Sequence, residues 1–263
     1  MRPRFVIAVL VKELRDLLGN KLLIAAVMAP ALIFAAIPTG LVALLELLEL
    51  HDEQLRQVEQ FTRAFPDLPP RLAAQGFIVV NFMAYFLLIP AMVPMAIATQ
   101  SVIGEKQTRS LEPQLATPIE VGELLIGKAI AAALPAVIGT WVVFLGYAYL
   151  NGAIGDPVLT RLIISDEWRV AMVSLVPLIC LFSVLLGIVV SARANDPRTA
   201  QQIGGFVVIP IIALAVANFF GGQVGFTLEQ VLFGDLVVAV LCGLTLALGA
   251  WVFDREQILT RMG

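Results

Sequence analysis

The sequence predicts an all-α fold, a polytopic membrane protein with six transmembrane helices, and three observations predict it. The 263 residues are 59% hydrophobic and only 14% charged, whereas soluble domains run nearer half apolar and a quarter charged. The mean hydropathy is +0.92. Six apolar runs approach the ~20 residues a helix needs to cross a bilayer, at about 22–45, 77–99, 129–150, 170–192, 203–220 and 231–253. Together they form a single transmembrane domain over 1–263. The same composition excludes other classes. A net charge of -3 with 17 Lys+Arg argues against nucleic acid as a partner. One His cannot supply a multi-histidine metal site. Cys180 and Cys242 sit inside apolar runs and read as small apolar residues, not as a disulfide framework.

The first element, residues 1–21, is expected to be an amphipathic helix lying in the membrane interface. Ile7, Leu10, Val11, Leu14, Leu17 and Leu18 share one stripe at helical spacing, opposite Lys12, Arg15 and Asp16. The mixed charges make it no cleavable signal. The first span follows, and residues 44–62 keep apolar residues near helical spacing, so they extend it as a second amphipathic stretch until Pro66, Pro69 and Pro70. His51 in this acidic loop reads as a solvated side chain. Later spans carry Pro90, Pro94, Pro135, Pro177 and Pro210, each of which frees a carbonyl and can bend its helix. The segment 218–234 is too apolar for an ordinary loop and is expected to hold a short re-entrant helix.

Charge sets the expected orientation. With both termini cytoplasmic, the inner side holds Arg2, Arg4, Lys12, Arg15, Lys21, Lys106, Arg109, Lys128, Arg193, Arg198, Arg255 and Arg261. The outer side holds only Arg56, Arg63, Arg71, Arg161 and Arg169. Basic residues gather on the cytoplasmic side of membrane proteins, which fixes the sense.

Residues 104–128 hold the most informative polar segment. Glu105 and Arg109 are four apart in the order that favours a helical ion pair. Pro113 ends that short helix. Thr117-Pro118-Ile119-Glu120 then reads as a capping box with Pro at the first helical position. A charged knob is thereby joined to two spans. Gly122, Gly127 and Lys128 fit the spacing of a phosphate-binding loop, but Ala129 stands where the magnesium-holding Ser/Thr belongs, and a helical pattern replaces the strand–loop context. The chain itself is therefore expected not to bind ATP and not to be an enzyme.

Glu105, Arg109, Leu111, Glu112, Leu115, Thr117, Pro118, Glu123, Gly127 and Lys128 together resemble the characteristic block of ABC-2 type transporter permeases, the membrane subunits of ATP-driven exporters. Pro113 and Gln114 depart from it. The resemblance implies a cytoplasmic coupling helix over 104–117 that docks on a separate ABC ATPase, with Glu105, Lys106, Arg109, Leu111 and Glu112 as the contact residues. It implies ATP and magnesium on that partner, no cofactor in this chain, and pairing with a second copy or a related permease in a prokaryotic plasma membrane. It also suggests a substrate path lined partly by the second and fifth spans, with Asn81, Tyr85, Phe86, Asn218, Phe219 and Phe220 as candidates. An ion-coupled secondary carrier or an accessory membrane subunit is the alternative; the absence of a carboxylate from the span centres weighs against the carrier.

Overall fold

The computed structural model describes residues 3–19, 21–48, 63, 65–107, 121–193, 196–220 and 225–252. Among these residues every regular element is helical. Helix α1 covers Pro3–Gly19 and α2 covers Lys21–Leu47. Helix α3 runs Pro70–Met83, a 3-10 turn follows at Ala84–Leu87, and α4 continues through Leu88–Gln107. Helix α5 is the longest, Val121–Ile154. The short α6 (Pro157–Ile163) and α7 (Asp166–Val173) precede α8 (Leu175–Arg193). Helix α9 (Pro197–Gly204) passes through a 3-10 turn at Gly205–Val207 into α10 (Val208–Phe220), and α11 is Leu228–Val252.

Six helical stretches are long and apolar enough to cross a membrane: Met28–Leu47, Pro70–Glu105, Ile126–Ile154, Asp166–Ser191, Gln201–Asn218 and Leu228–Gly249. The second starts at Pro70 rather than near residue 77, because a Pro at the first helical position is preorganised for a helix start. Three of the six are interrupted, and the helix after each interruption opens with the same pattern: Leu88-Ile89-Pro90, Leu175-Val176-Pro177 and Val208-Ile209-Pro210. Proline lacks the N–H that an unbroken helix would need there, but is tolerated in a first turn. The helical ladder is therefore weakened at these points, although at Ser174 the N–H still donates to the Val170 carbonyl at 2.8 Å and the carbonyl accepts from Leu178 at 3.2 Å. At the second break the indole of Trp141 donates to the Met172 carbonyl at 2.8 Å, so a side chain takes up an acceptor of the interrupted ladder.

The core lies where α3, α4, α5 and α8 meet. Met83, Phe86, Tyr147, Val176 and Cys180 are buried there. An aromatic series runs through it: Phe86 meets Phe144 edge-on with centroids 5.8 Å apart, Phe144 stacks on Trp168 at 5.8 Å, and Trp168 reaches Phe226 at 5.9 Å. By contrast the Gly205–Val207 turn, α10 and α11 expose Phe206, Phe220, Phe233 and Leu236. In a membrane such faces meet lipid or another helix at no hydrophobic cost.

The re-entrant helix expected within 218–234 is not found among the described residues. Helix α11 already begins at Leu228, and residues 225–227 form a non-helical turn. Residues 221–224 lie outside the described residues. The turn is covered rather than extended into solvent: Phe226 is buried, and Asn218 donates from Nδ2 to the Gly225 carbonyl at 3.0 Å. Gly225 has φ +75, and a Cβ there would lie 2.8 Å from Val80 Cγ1, so both conformation and space require glycine. Of the amphipathic extension expected over 44–62, residues 49–62 also lie outside the described residues.

Candidate functional site

The last turns of α4, the first turns of α5 and the middle of α1 enclose a group of four charges. Lys12 and Glu13 come from α1, Glu105 from α4 and Lys128 from α5. Lys128 is only 5% exposed and Glu105 only 7%. Charges this far from water persist only when paired and hydrogen-bonded, and among the described residues two cations meet two anions here. Lys128 Nζ donates to Glu13 Oε1 at 2.7 Å and to Ser101 Oγ at 2.9 Å, and lies 2.8 Å from Glu105 Oε2 as an ion pair without hydrogen-bond geometry. Ser101 in turn donates to Glu13 Oε2 at 2.8 Å, so its one proton is also used. Lys12 Nζ donates to Glu105 Oε1 at 2.6 Å and lies 3.3 Å from Glu13 Oε1.

Lys12 lies outside the spans and remains about half open to solvent. Burial pulls its pKa down, but the hydrogen bond to Glu105 and the charges of Glu13 and Glu105 together raise it above the ordinary lysine value. A raised lysine pKa contributes stability that is fully present below the unfolded value and is lost as pH rises through the folded one. The lysine's charge is therefore intact at neutral pH, and its share of the contact is lost in alkali.

This arrangement closes the polypeptide loop between Glu105 and Lys128 at its base and ties that base to α1. It also shows which face of α1 is used. Val9 is buried and Glu13 points into the charge cluster, while Ile7 and Val11 of the predicted apolar stripe are exposed. Ile7 and Val11 thus face away from the bundle.

Of the residues the sequence singled out for ATPase contact, Glu105 faces inward to Lys12 and Lys128. Lys106 is on α4, but its side chain lies outside the described residues, as do Arg109, Leu111 and Glu112 entirely. The pairing of Glu105 with Arg109 therefore falls outside the described residues. Glu13, Ser101 and Lys128 were not marked as site residues from the sequence. For Ser101 and Lys128 one signal was available, a polar group at the edge of an apolar run next to the charged segment, whereas Glu13 sits among the other charges of α1 and gave none.

The candidate path residues are distributed over different environments. Asn81 donates from Nδ2 to the Phe77 carbonyl of its own helix at 2.8 Å. Tyr85 stacks on Phe34 of α2 at 5.9 Å. Phe86 is fully buried, packed on Phe144 and on Tyr147 at 5.0 Å. Helix α10 packs beside the 84–87 turn, yet its Asn218 is bound into the 225–230 turn through Gly225 and Gln230. Phe220 is exposed, and the side chain of Phe219 lies outside the described residues.

A second polar network occupies the opposite end of the bundle. Gln75 Nε2 donates to Glu46 Oε1 at 2.7 Å, and Arg71 lies 3.7 Å from Glu46 Oε2. The fully buried Asn151 donates from Nδ2 to Thr39 Oγ1 at 3.0 Å and to the Tyr147 carbonyl at 2.8 Å. Tyr147 donates to the Val79 carbonyl at 3.0 Å, and Thr160 to the Ala148 carbonyl at 3.1 Å. These bonds join α2, α3, α5 and α6.

Residues 7–233 match the profile of the ABC-2 family transporter proteins. The chain belongs to the ABC-2 transporter family. The match runs from α1 into α11 and includes every residue of the charge cluster. No curated protein matches the chain. An ABC-2 permease is the membrane component of an ABC transporter, generally not itself catalytic, and the family in general works with an ABC ATPase.

Proposed function

We propose that this permease subunit is part of an exporter driven by ATP hydrolysis on a separate ATPase subunit. In this reading the segment after Glu105 is the coupling element. The observation that carries it is the buried charge cluster. A segment that must pass force from a partner to the membrane helices needs a base that does not give, and Glu105–Lys128–Glu13 supplies one at both ends of the loop. Lys106, Arg109, Leu111 and Glu112 then form the docking face, with Leu111 as apolar anchor and charges at its rim, while Glu105 anchors that face from behind. The α1 end of the bundle is cytoplasmic, both termini included, and the membrane is a prokaryotic plasma membrane. ATP and magnesium are held by the partner. A second copy of the chain or a related permease completes the translocation path, with Asn81, Tyr85 and Asn218 nearest to it.

Capture of the ATPase by the tagged permease tests the docking face. Arg109→Glu and Glu112→Lys should each reduce the ATPase recovered without altering the yield of folded permease. Full recovery with both variants would remove these residues from the interface.

A further inference from the structure

The two breaks at Ala84–Leu87 and Ser174 divide the second and fourth spans in the same way. Successive spans alternate in direction, so α4 and α8 run in parallel, and they have nearly the same length, 20 and 19 residues. At 1.5 Å per residue each is a rod of about 30 Å. Both begin with the Leu-x-Pro pattern, so in both the helical ladder is weakened at the same end, though at Ser174 the bonds to the Val170 carbonyl and from Leu178 remain. They are pressed together: a Cβ placed on Gly187 would lie 3.3 Å from Ala98 Cβ and 3.4 Å from the Met95 carbonyl oxygen. Helix α9 packs on both α4 and α8 and is itself released from α10 by the turn at Gly205–Val207. A 3-10 stretch inside a long helix commonly marks a hinge.

The other side of the breaks is held differently. There α2, α3, α5 and α6 are cross-linked by the hydrogen bonds of Thr39, Gln75, Tyr147, Asn151 and Thr160. Helix α5 joins the two ends, and Pro135 interrupts its ladder between Lys128 and Tyr147.

We infer that α4 and α8 move as one rigid lever, with α9 carried along, pivoting at Ala84–Leu87 and Ser174 against the hydrogen-bonded α2–α3–α5–α6 end. The lever carries Glu105 at the end away from the hinges, where the charge cluster ties it to α1 and to the Lys128 end of α5, so a push on the following segment swings the pair rather than bending a single helix. This inference rests on the coupling reading above for what drives the motion, though the hinges themselves do not depend on it.

The test uses the full chain in lipid nanodiscs, alone and with its ATPase, in a Cys180→Ala/Cys242→Ala background that removes both native thiols. Spin labels replace exposed residues in two pairs. Gln100→Cys with Gln202→Cys lies within the lever unit, and Gln100→Cys with Arg161→Cys spans the breaks. In the chain alone, the spanning pair should give a broader distance distribution than the internal pair. With the ATPase trapped on nucleotide, the spanning distance should shift and the internal one should not. An Ala98→Cys/Gly187→Cys disulfide should leave stimulated hydrolysis intact, because it joins parts that move together. Equal widths for both pairs in the chain alone, or a nucleotide-driven shift of the internal pair, would overturn the lever. Failure of the ATPase to bind, with the width difference preserved, would overturn the coupling reading and leave the hinges standing.

Discussion

The two ends of this bundle are both held by buried polar groups, but by different chemistry. At the α1 end, four charges neutralise one another around Lys128. At the α6 end, the bonds are mainly between amides, hydroxyls and backbone carbonyls around Asn151 and Tyr147. The first is strong only while complete, since the loss of any one charge leaves its partner buried and unpaired. The second consists of bonds that each contribute modestly and fail independently. A charged cluster therefore suits the place where an all-or-none mechanical connection is needed, and a hydroxyl–amide network suits a frame that only has to stay put. Between them lie the breaks at residues 84–87 and 174 and the ladder gap at Pro135.

Removing Lys128 should give the largest effect. Lys128→Met leaves Glu13 and Glu105 with only the half-exposed Lys12 as cation, and loss of one partner from a buried pair costs about 3–5 kcal/mol. Thermal unfolding in detergent should fall sharply, and adding Glu13→Gln should recover part of the loss. A variant as stable as the parent would mean that the two ends do not differ in the way described. Asn151→Leu comes next. It removes the bonds to Thr39 and the Tyr147 carbonyl, while Thr39 keeps its bond to the Ala35 carbonyl. The expected loss is about 1 kcal/mol, seen in the same melting assay. A loss as large as that of Lys128→Met would erase the distinction between the ends. The smallest effect belongs to Arg169, which pairs with Asp166 on the exposed face of α7. Exposed pairs contribute about 0–1 kcal/mol, so Arg169→Ala should barely move the melting curve. A shift comparable to Asn151→Leu would show that an exposed charge here matters more than solvent screening allows.

Much of this was legible in the sequence. The spans follow from apolar length alone, and the amphipathic α1 from the spacing of Ile7 and Val11 against its charges. The family block contains Glu105 and Lys128, two of the residues that the charge cluster brings together. The charge cluster itself was not legible, because its members meet from 93 and 115 residues apart and no local spacing records such a pairing. Glu105 read as the partner of Arg109 because a helix brings residues four apart together, and local geometry gives no hint of a lysine arriving from α1. The aromatic Phe86 read as a candidate path residue for a similar reason: an aromatic side chain in an aliphatic helix gives no direction, and this one packs into the core. The breaks were written in the repeated Leu/Val-Ile/Val-Pro tripeptides. Single prolines suggest only bends, whereas the same tripeptide opening three second halves marks restarts.

The central claim is that the Glu13–Lys128 contact fastens the coupling segment to α1, and exchanging the two charges tests it most directly. Glu13→Lys and Lys128→Glu each place like charges within the cluster, whereas the double variant restores one cation and one anion at the same positions. Nucleotide hydrolysis by the reconstituted permease–ATPase complex should lose its dependence on the permease in either single variant. It should regain a substantial part of that dependence in the exchanged pair. Unchanged hydrolysis in both single variants, or an exchanged pair no better than the singles, would contradict the account.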